Sequence, residues 1–185
     1  MSGSSFFSEE NLIRHSSLQY KFALGIHHQS SHGKDGVPTM YPNSWSWGKH
    51  VFSHSQLEVK KEDQEHAAMF LVHSTLLTIV TQIDAVFGKA IPNRFESDDG
   101  ELKNSAIISR MIRNAYAHNP FFPVWKIQPD WRNKIYEVVN VISVDTTDLH
   151  GKALNRSDYG GPLAILMLAE KAIGYLGQSN AGEFR

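Results

Sequence analysis

A long apolar segment in the first half of the chain constrains the fold most, because it favours one continuous helix. Apolar residues are densest from Ala67 to Phe87, where they would cover most of the circumference of a helix. Ser55 and Glu58 have the spacing of a capping box that would begin this helix. Gly88 lies where a glycine often ends one. The sequence therefore predicts a mainly α fold with a long, buried central helix.

Three further segments have helical periodicity, and one long segment has none. The pattern predicts helices over 9–24, 106–118 and 163–176. The helix over 106–118 should end close to Pro120, since the residue before a proline disfavours helical geometry. Residues 25–54 are rich in glycine, proline, serine and histidine without a period, which indicates a long loop.

The period changes to that of β-structure between the last two predicted helices. Residues 124–128 and 134–145 carry β-branched and aromatic side chains typical of strands, and 129–134 is turn-like. We expect a hairpin insertion over 120–156, placed before the last helix. The whole chain, 1–185, is predicted to be a single domain. Its predicted core contains Phe70, Leu76, Leu77, Ile83, Ile108, Met111, Ile112, Ala115, Leu163, Ile165 and Leu166.

Composition excludes several classes of protein. The chain has no cysteine, so disulfides, thiolate metal sites and a cysteine nucleophile are excluded. No run approaches the roughly 18 apolar residues that would span a bilayer, and the N-terminus lacks the features of a signal peptide. There is no glycine-rich phosphate loop and no Gly-x-Ser-x-Gly elbow. We expect a cytoplasmic protein with no cofactor, no metal and no membrane contact.

The charge of the chain is balanced overall but not locally. The formal net charge is −1, which gives no global attraction for nucleic acid. Residues 103–134, however, contain six basic side chains and only one acidic one, Asp130. This segment is either a chance cluster on a solvated face or a surface that attracts an anionic ligand.

The predicted helix over 106–118 places a distinctive set of polar side chains opposite its apolar face. The apolar side is formed by Ile107, Ile108, Met111, Ile112, Ala115 and Tyr116, and the other side by Arg110, Arg113, Asn114, Ala117 and His118. A guanidinium offers a planar fork of donors to phosphate oxygens. An imidazole can take a proton from a hydroxyl and return one to a leaving group. The same stripe is also what any half-exposed amphipathic helix carries.

The segment "IRNAYAHNP" resembles the Arg-polar-x-x-x-His signature of the HEPN superfamily, with Arg113, the polar Asn114 and His118 in the matching positions. These are small, mostly helical domains, and many are metal-independent ribonucleases of bacterial toxin and defence systems. The resemblance implies a HEPN-like helical bundle in which the hairpin is an insertion. It also implies a homodimer whose two motif helices face each other across a twofold axis.

The resemblance further implies a mechanism and partners. His118 would activate the ribose 2′-hydroxyl, Arg113 would stabilise charge on the phosphate, and Asn114 would orient the pair. RNA and an antitoxin-like protein are the partners it suggests. Candidate contact residues outside the motif are Arg110, Lys126, Trp125 and Tyr116. The alternative is a HEPN-like module that binds a nucleotide, RNA or a partner protein without cleaving.

Two other groups of residues have ordinary structural interpretations. His27, His28 and His32 could offer imidazoles to a divalent ion, but only Asp35 could complete the set locally. Asp84 lies inside the apolar helix, where a lone carboxylate is costly. We expect it to pair with an arginine such as Arg110 or Arg113. If Arg113 and His118 pair only with carboxylates such as this one, their role is structural.

Overall fold

The computed structural model describes residues 8–33, 44–53, 55, 58–90 and 93–181. The described part is mainly helical, with two short antiparallel hairpins. In chain order its elements are α1 (Glu9–His32), β1 (Ser44–Trp47), β2 (His50–Ser53), α2 (Lys61–Ala90), α3 (Gly100–His118), β3 (Ile135–Val138), β4 (Ile142–Asp145) and α4 (Gly161–Ala181). This confirms the predicted mainly α class with a hairpin before the last helix.

The chain forms two compact units. The larger consists of residues up to Tyr20 and from His73 onward, and the smaller of Lys21–Val72. The boundary therefore falls within both α1 and α2. The single domain over residues 1–185 stays a prediction.

Helix α2 is the longest element, and its second half supplies much of the core of the larger unit. Its fully buried side chains recur at helical spacing: Leu76, Ile79, Val80, Ile83 and Phe87. Ile165 and Leu168 of α4 are equally buried. By length and composition alone, Lys61–Gly88 would suffice to cross a membrane, although the sequence predicted no run long enough. The core helix of a soluble protein passes the same test.

Most of the predicted core is confirmed. Seven of its members are buried, namely Leu76, Ile83, Ile108, Met111, Ile112, Ala115 and Ile165, while Phe70, Leu77 and Leu166 are partly exposed. Leu163 was predicted wrongly, because its side chain is 65% exposed. It lies in the first turn of α4, about 140° around the helix axis from Leu168 and about 160° from Ile165.

The hairpin in the larger unit exists, but its strands pair differently from the prediction. Val138 pairs with Ile142 and Tyr136 with Val144, so both strands come from the segment predicted as one long strand. The reversal is made by Asn140, whose φ of 59° is left-handed, a conformation that asparagine tolerates well. Val124 makes only an isolated bridge, to Ala153. The predicted turn contains a 3₁₀ turn, Pro129–Trp131.

Two helix boundaries also differ from the prediction. Helix α2 continues past Gly88 to Ala90, and α3 begins at Gly100, not at 106. A glycine costs a helix only about 1 kcal/mol, so tertiary contacts can override it. A Cβ at Gly88 would lie 3.4 Å from the Arg94 guanidinium, an ordinary van der Waals distance, so a side chain would fit at this position.

In the smaller unit, the predicted loop over 25–54 is wrong in two places. Helix α1 continues through Gly25 to His32, and Gly33 closes it with an N–H bond to the Gln29 carbonyl. Strands β1 and β2 pair around a two-residue turn in which Gly48 has a φ of 59°. Residues 34–43 of this predicted loop lie outside the described residues. The predicted capping-box pair, Ser55 and Glu58, precedes α2, which begins at Lys61.

Candidate functional site

Helix α3 carries the motif residues in its last two turns. The Asp99 side chain caps its start by accepting bonds of 3.0 and 3.1 Å from backbone N–H groups of the first turn. Its last residue is His118, because Asn119 has extended backbone angles, φ −156° and ψ 101°. The helix thus ends where the sequence predicted, and the polar set lies at its carboxyl end.

The two faces of α3 are arranged as the sequence predicted. Ile107, Ile108, Met111, Ile112, Ala115 and Tyr116 are all buried. On the other side, Arg110, Arg113 and Asn114 are half-buried, and Ala117 and His118 are exposed. The buried face fixes the helix to the core and leaves the polar face to solvent.

Arg113 is held by an amide. Its Nη1 donates a 3.0 Å hydrogen bond to Oδ1 of Asn114. This contact fixes one edge of the guanidinium and leaves its other donors available for anionic oxygens. A neutral partner also leaves the full positive charge of Arg113 in place.

His118 is exposed, and two exposed aromatic residues follow it closely in the chain. Oδ1 of Asn119 accepts bonds from the backbone N–H groups of Phe121 at 3.0 Å and Phe122 at 3.1 Å, which closes a tight turn after the helix. The Phe121 side chain is 46% exposed and that of Phe122 is 73% exposed. The turn therefore brings two phenyl rings to the surface within four residues of the imidazole.

Within one chain, Arg113 and His118 point in different directions. Five residues along a helix correspond to about 140° of rotation and about 7.5 Å of rise. Asn114 and His118 are one turn apart and share a face. The guanidinium and the imidazole of one copy therefore lie at opposite edges of the polar face of α3.

Asp84 is engaged by two other arginines. Nε of Arg110 lies 2.8 Å from Oδ1 of Asp84, and Nη2 of Arg94 lies 3.9 Å from the same oxygen. The predicted ion pair is confirmed for Arg110. Among the described residues, neither Arg113 nor His118 has a carboxylate partner. The ion pairs expected of a purely structural role are therefore not formed in the described part of the chain.

Arg94 also belongs to this cluster, and no sequence pattern predicted its role. It lies in the connection between α2 and α3, which has no periodicity, and only 8% of it is exposed. Burial lowers its pKa, which the Asp84 carboxylate opposes. Its guanidinium lies 4.5 Å from the centre of the Phe95 ring, and that ring lies 5.3 Å from the Trp131 ring. The cluster anchors α3 to α2.

Of the four predicted contact residues outside the motif, two are inaccessible. Trp125 is fully buried and donates from Nε1 to Asp158 at 2.8 Å, and Tyr116 is 1% exposed. Neither ring can stack on a ligand in this structure, which corrects the expectation for both. The sequence alone did not distinguish a binding role from a core role for these two residues, because aromatic side chains serve both. Lys126 is exposed, and Arg110 is half-buried in its ion pair.

A group of buried tyrosines lies behind the motif. Tyr116 of α3 is buried with Tyr20 of α1 and Tyr159, which ends a 3₁₀ turn. Burial raises the pKa of Tyr116 to about 12, with a further contribution from Tyr20. These side chains hold their protons at neutral pH and fix the helix two residues before His118.

The histidines of α1 contact each other and the helix backbone. The rings of His28 and His32 stack with 4.7 Å between their centres, and Nδ1 of His32 lies 3.2 Å from the His28 carbonyl. In the part of the chain that the structure describes, no three His, Cys, Asp or Glu side chains are grouped to hold a metal ion.

Comparison with protein-family models, curated proteins and solved structures finds no match to this chain.

Proposed function

We propose that this chain is a HEPN-like domain that cleaves RNA as a homodimer, through attack of the ribose 2′-hydroxyl on the adjacent phosphate. The observation that carries the proposal is that the arginines have different partners. Arg110 and Arg94 share the carboxylate of Asp84, whereas Arg113 is held by the neutral Asn114 amide. A half-exposed guanidinium whose charge is not neutralised by a carboxylate is suited to bind a phosphate.

The proposed reaction uses the three motif residues in distinct roles. His118 takes the proton of the 2′-hydroxyl, whose oxygen forms a bond to phosphorus as the bond to the 5′ oxygen breaks. Arg113 stabilises the charge that builds up on the phosphate oxygens. Asn114 holds the guanidinium and shares a face with the imidazole. His118 then returns a proton to the 5′ oxygen, which completes the step and leaves a cyclic phosphate.

The geometry of a single α3 supports the proposed homodimer. Because Arg113 and His118 diverge by about 140° around the helix axis, one copy does not close both groups around one phosphate. A second α3 facing the first would place the imidazole of one copy opposite the guanidinium of the other. Twofold symmetry makes such an interface complementary to itself and builds two equivalent sites.

The exposed rings after the helix support RNA as the substrate. Phe121 and Phe122 lie three and four residues beyond His118, and both are exposed. An unpaired base stacked on an aromatic ring is a common mode of RNA binding. Lys126, also exposed, would contact the backbone phosphates.

The alternative is a HEPN-like module that binds a nucleotide, RNA or a partner protein such as an antitoxin without cleaving. The exposed Phe121 and Phe122 favour it as much as they favour a nuclease, since a partner protein could cover them. The two functions differ in whether His118 is needed for turnover.

Purified variants and a structured RNA substrate test the proposal. We expect His118→Ala to lower the cleavage rate by about 100-fold or more, the usual contribution of a general acid or base. His66→Ala is the matched control, because His66 is an exposed histidine on another helix. Arg113→Lys should lose most activity because a point charge cannot replace the guanidinium fork, whereas Arg14→Lys should not.

The outcomes separate the candidates. Cleavage that survives His118→Ala at the wild-type rate contradicts the proposed chemistry. Binding of RNA without cleavage by the wild-type chain supports the module. A large fall in unfolding free energy for His118→Ala would indicate a structural role, although the exposure of this side chain predicts a change within about 0.5 kcal/mol.

A further inference from the structure

A cationic cavity, lined by none of the motif residues, lies between the loop before β3 and the loop after β4. Its volume is about 450 Å³, within the usual range for small-ligand pockets. The side chains that line it belong to Arg132, Asn133, Thr146, Asp148, His150 and Lys152. With neutral histidine, Arg132 and Lys152 outweigh Asp148, so the lining has an excess of positive charge.

The backbone of Ile127 positions two of these side chains. Nε of Arg132 donates to the Ile127 carbonyl at 3.1 Å, and the Ile127 N–H donates to Nδ1 of His150 at 3.2 Å. The same two side chains then meet, with Nη2 of Arg132 lying 3.1 Å from Nε2 of His150. The arginine and the imidazole are thus fixed side by side at the cavity wall.

These contacts leave two donors facing each other. A neutral imidazole has one N–H and one acceptor nitrogen, so accepting from Ile127 at Nδ1 places the proton on Nε2. That N–H then faces an N–H of Arg132. The other tautomer satisfies Arg132 but turns an N–H toward the N–H of Ile127 instead. In every protonation state at least one contact joins two donors, and an anionic oxygen that accepts from both Arg132 and His150 removes the conflict.

The walls of the cavity are firmly held. The hydroxyl of Thr146, which is 1% exposed, accepts from the Lys134 N–H at 2.9 Å and lies 2.8 Å from the carbonyl oxygens of Trp131 and Lys134. Asn133 and Asp148 have left-handed φ values of 55° and 56°. Asparagine and aspartate adopt this conformation readily in turns, which fits the two loops that form the cavity.

We propose that this cavity binds the phosphate group of a small molecule, with Arg132, His150 and Lys152 as donors. Guanidinium, imidazole and ammonium groups together offer the charge and the several N–H bonds that a phosphate accepts. The volume also leaves room for a group attached to the phosphate. The site is independent of the proposed RNA cleavage, because it uses no residue of the Arg113, Asn114 and His118 set.

Calorimetric titration of the full chain at constant ionic strength tests this site. The probes are inorganic phosphate and adenosine monophosphate. We expect saturable binding, weakened at least tenfold by Lys152→Gln and by His150→Gln. Lys49→Gln is the matched control and should leave the affinity unchanged, because Lys49 is an exposed lysine in the β1–β2 turn. Lys152 has an exposed side chain, so its variant should stay folded.

Each outcome bears on the proposal. Adenosine monophosphate binding at least tenfold more tightly than inorganic phosphate supports a phosphorylated small molecule as the ligand. Equal affinities support the phosphate group itself as the part recognised. Absence of saturable binding by both probes overturns the site. So does binding that Lys152→Gln and His150→Gln leave unchanged while the thermal unfolding of those variants matches that of the wild type.

Discussion

Among single residues, Asp84 is one whose removal should destabilise the fold strongly. It is 7% exposed and neutralises Arg110, with Arg94 at 3.9 Å from the same oxygen. Asp84→Ala leaves two guanidinium groups close together without a counter-charge, and we expect the free energy of unfolding to fall by about 3 kcal/mol or more.

Urea unfolding of two variants checks this. Glu10→Ala is the control, because the Glu10–Arg14 pair is about half exposed and should contribute no more than about 1 kcal/mol. Equal losses for the two variants would mean that the buried cluster does not anchor α3.

Tyr116 should make the stability of the fold sensitive to alkaline pH. Burial raises its pKa from 10.0 to about 12, so the folded state holds the proton more tightly than the unfolded state. Its contribution to stability is therefore complete below pH 10 and is lost as the pH rises toward about 12.

Urea unfolding at a series of alkaline pH values checks the sign. Tyr116→Phe should lose less stability per pH unit than the wild type in that window, because it has no hydroxyl to ionise in the unfolded chain. Some loss should persist, since burial also raises the pKa of Tyr20 and Tyr159. An unchanged slope in Tyr116→Phe would contradict the burial of this hydroxyl.

Among the elements, α3 depends on its cap. Asp99 accepts two backbone N–H bonds at the start of the helix, so Asp99→Ala should lower the unfolding free energy by about 1 kcal/mol. Asp98→Ala is the control, because Asp98 is an exposed neighbour of the same charge outside the cap. Thermal unfolding of both variants measures the difference, and equal shifts would indicate a general charge effect in place of a cap.

The faces of the helices were predictable from the sequence, whereas several of their ends were not. The burial of Ile108, Met111 and Ile112 follows directly from helical period. The continuation of α1 through Gly25 and of α2 through Gly88 depends on contacts that outweigh a propensity of about 1 kcal/mol. The hairpin was predicted at the correct place in the chain, but its turn was not. The left-handed conformation of Asn140, which makes the turn, is not visible in the pattern of apolar residues.

The candidate site was likewise predictable from the sequence only in part. The positions of Arg113, Asn114 and His118 along α3 follow from helical spacing. The pairing of Asp84 with an arginine follows from the cost of a lone buried carboxylate. The cavity at Arg132, His150 and Lys152 could not be predicted, because it depends on two loops that meet through the backbone of Ile127. Trp125 was predicted on a surface, and only the structure shows its indole N–H bound inside the core.

At the scale of the whole molecule, the proposed dimer should allow two inactive variants to complement each other. If the imidazole of one copy faces the guanidinium of the other, a heterodimer of His118→Ala and Arg113→Ala contains one complete site. Mixed after unfolding and refolding, the variants should recover about a quarter of wild-type cleavage, since half the dimers are mixed and each has one of two sites. Light scattering should give twice the mass of one chain, and a monomer without complementation would contradict the dimer.

The most direct test of the central claim is the chemistry of the RNA ends produced in excess chelator. Attack by the 2′-hydroxyl needs no metal-bound water, so we expect wild-type cleavage to continue in EDTA. The 5′ fragments should end in a 2′,3′-cyclic phosphate or its hydrolysis product, and DNA of the same sequence should stay intact because it lacks the hydroxyl. Loss of cleavage in the chelator, or fragments of DNA at a similar rate, would contradict the mechanism assigned to Arg113 and His118.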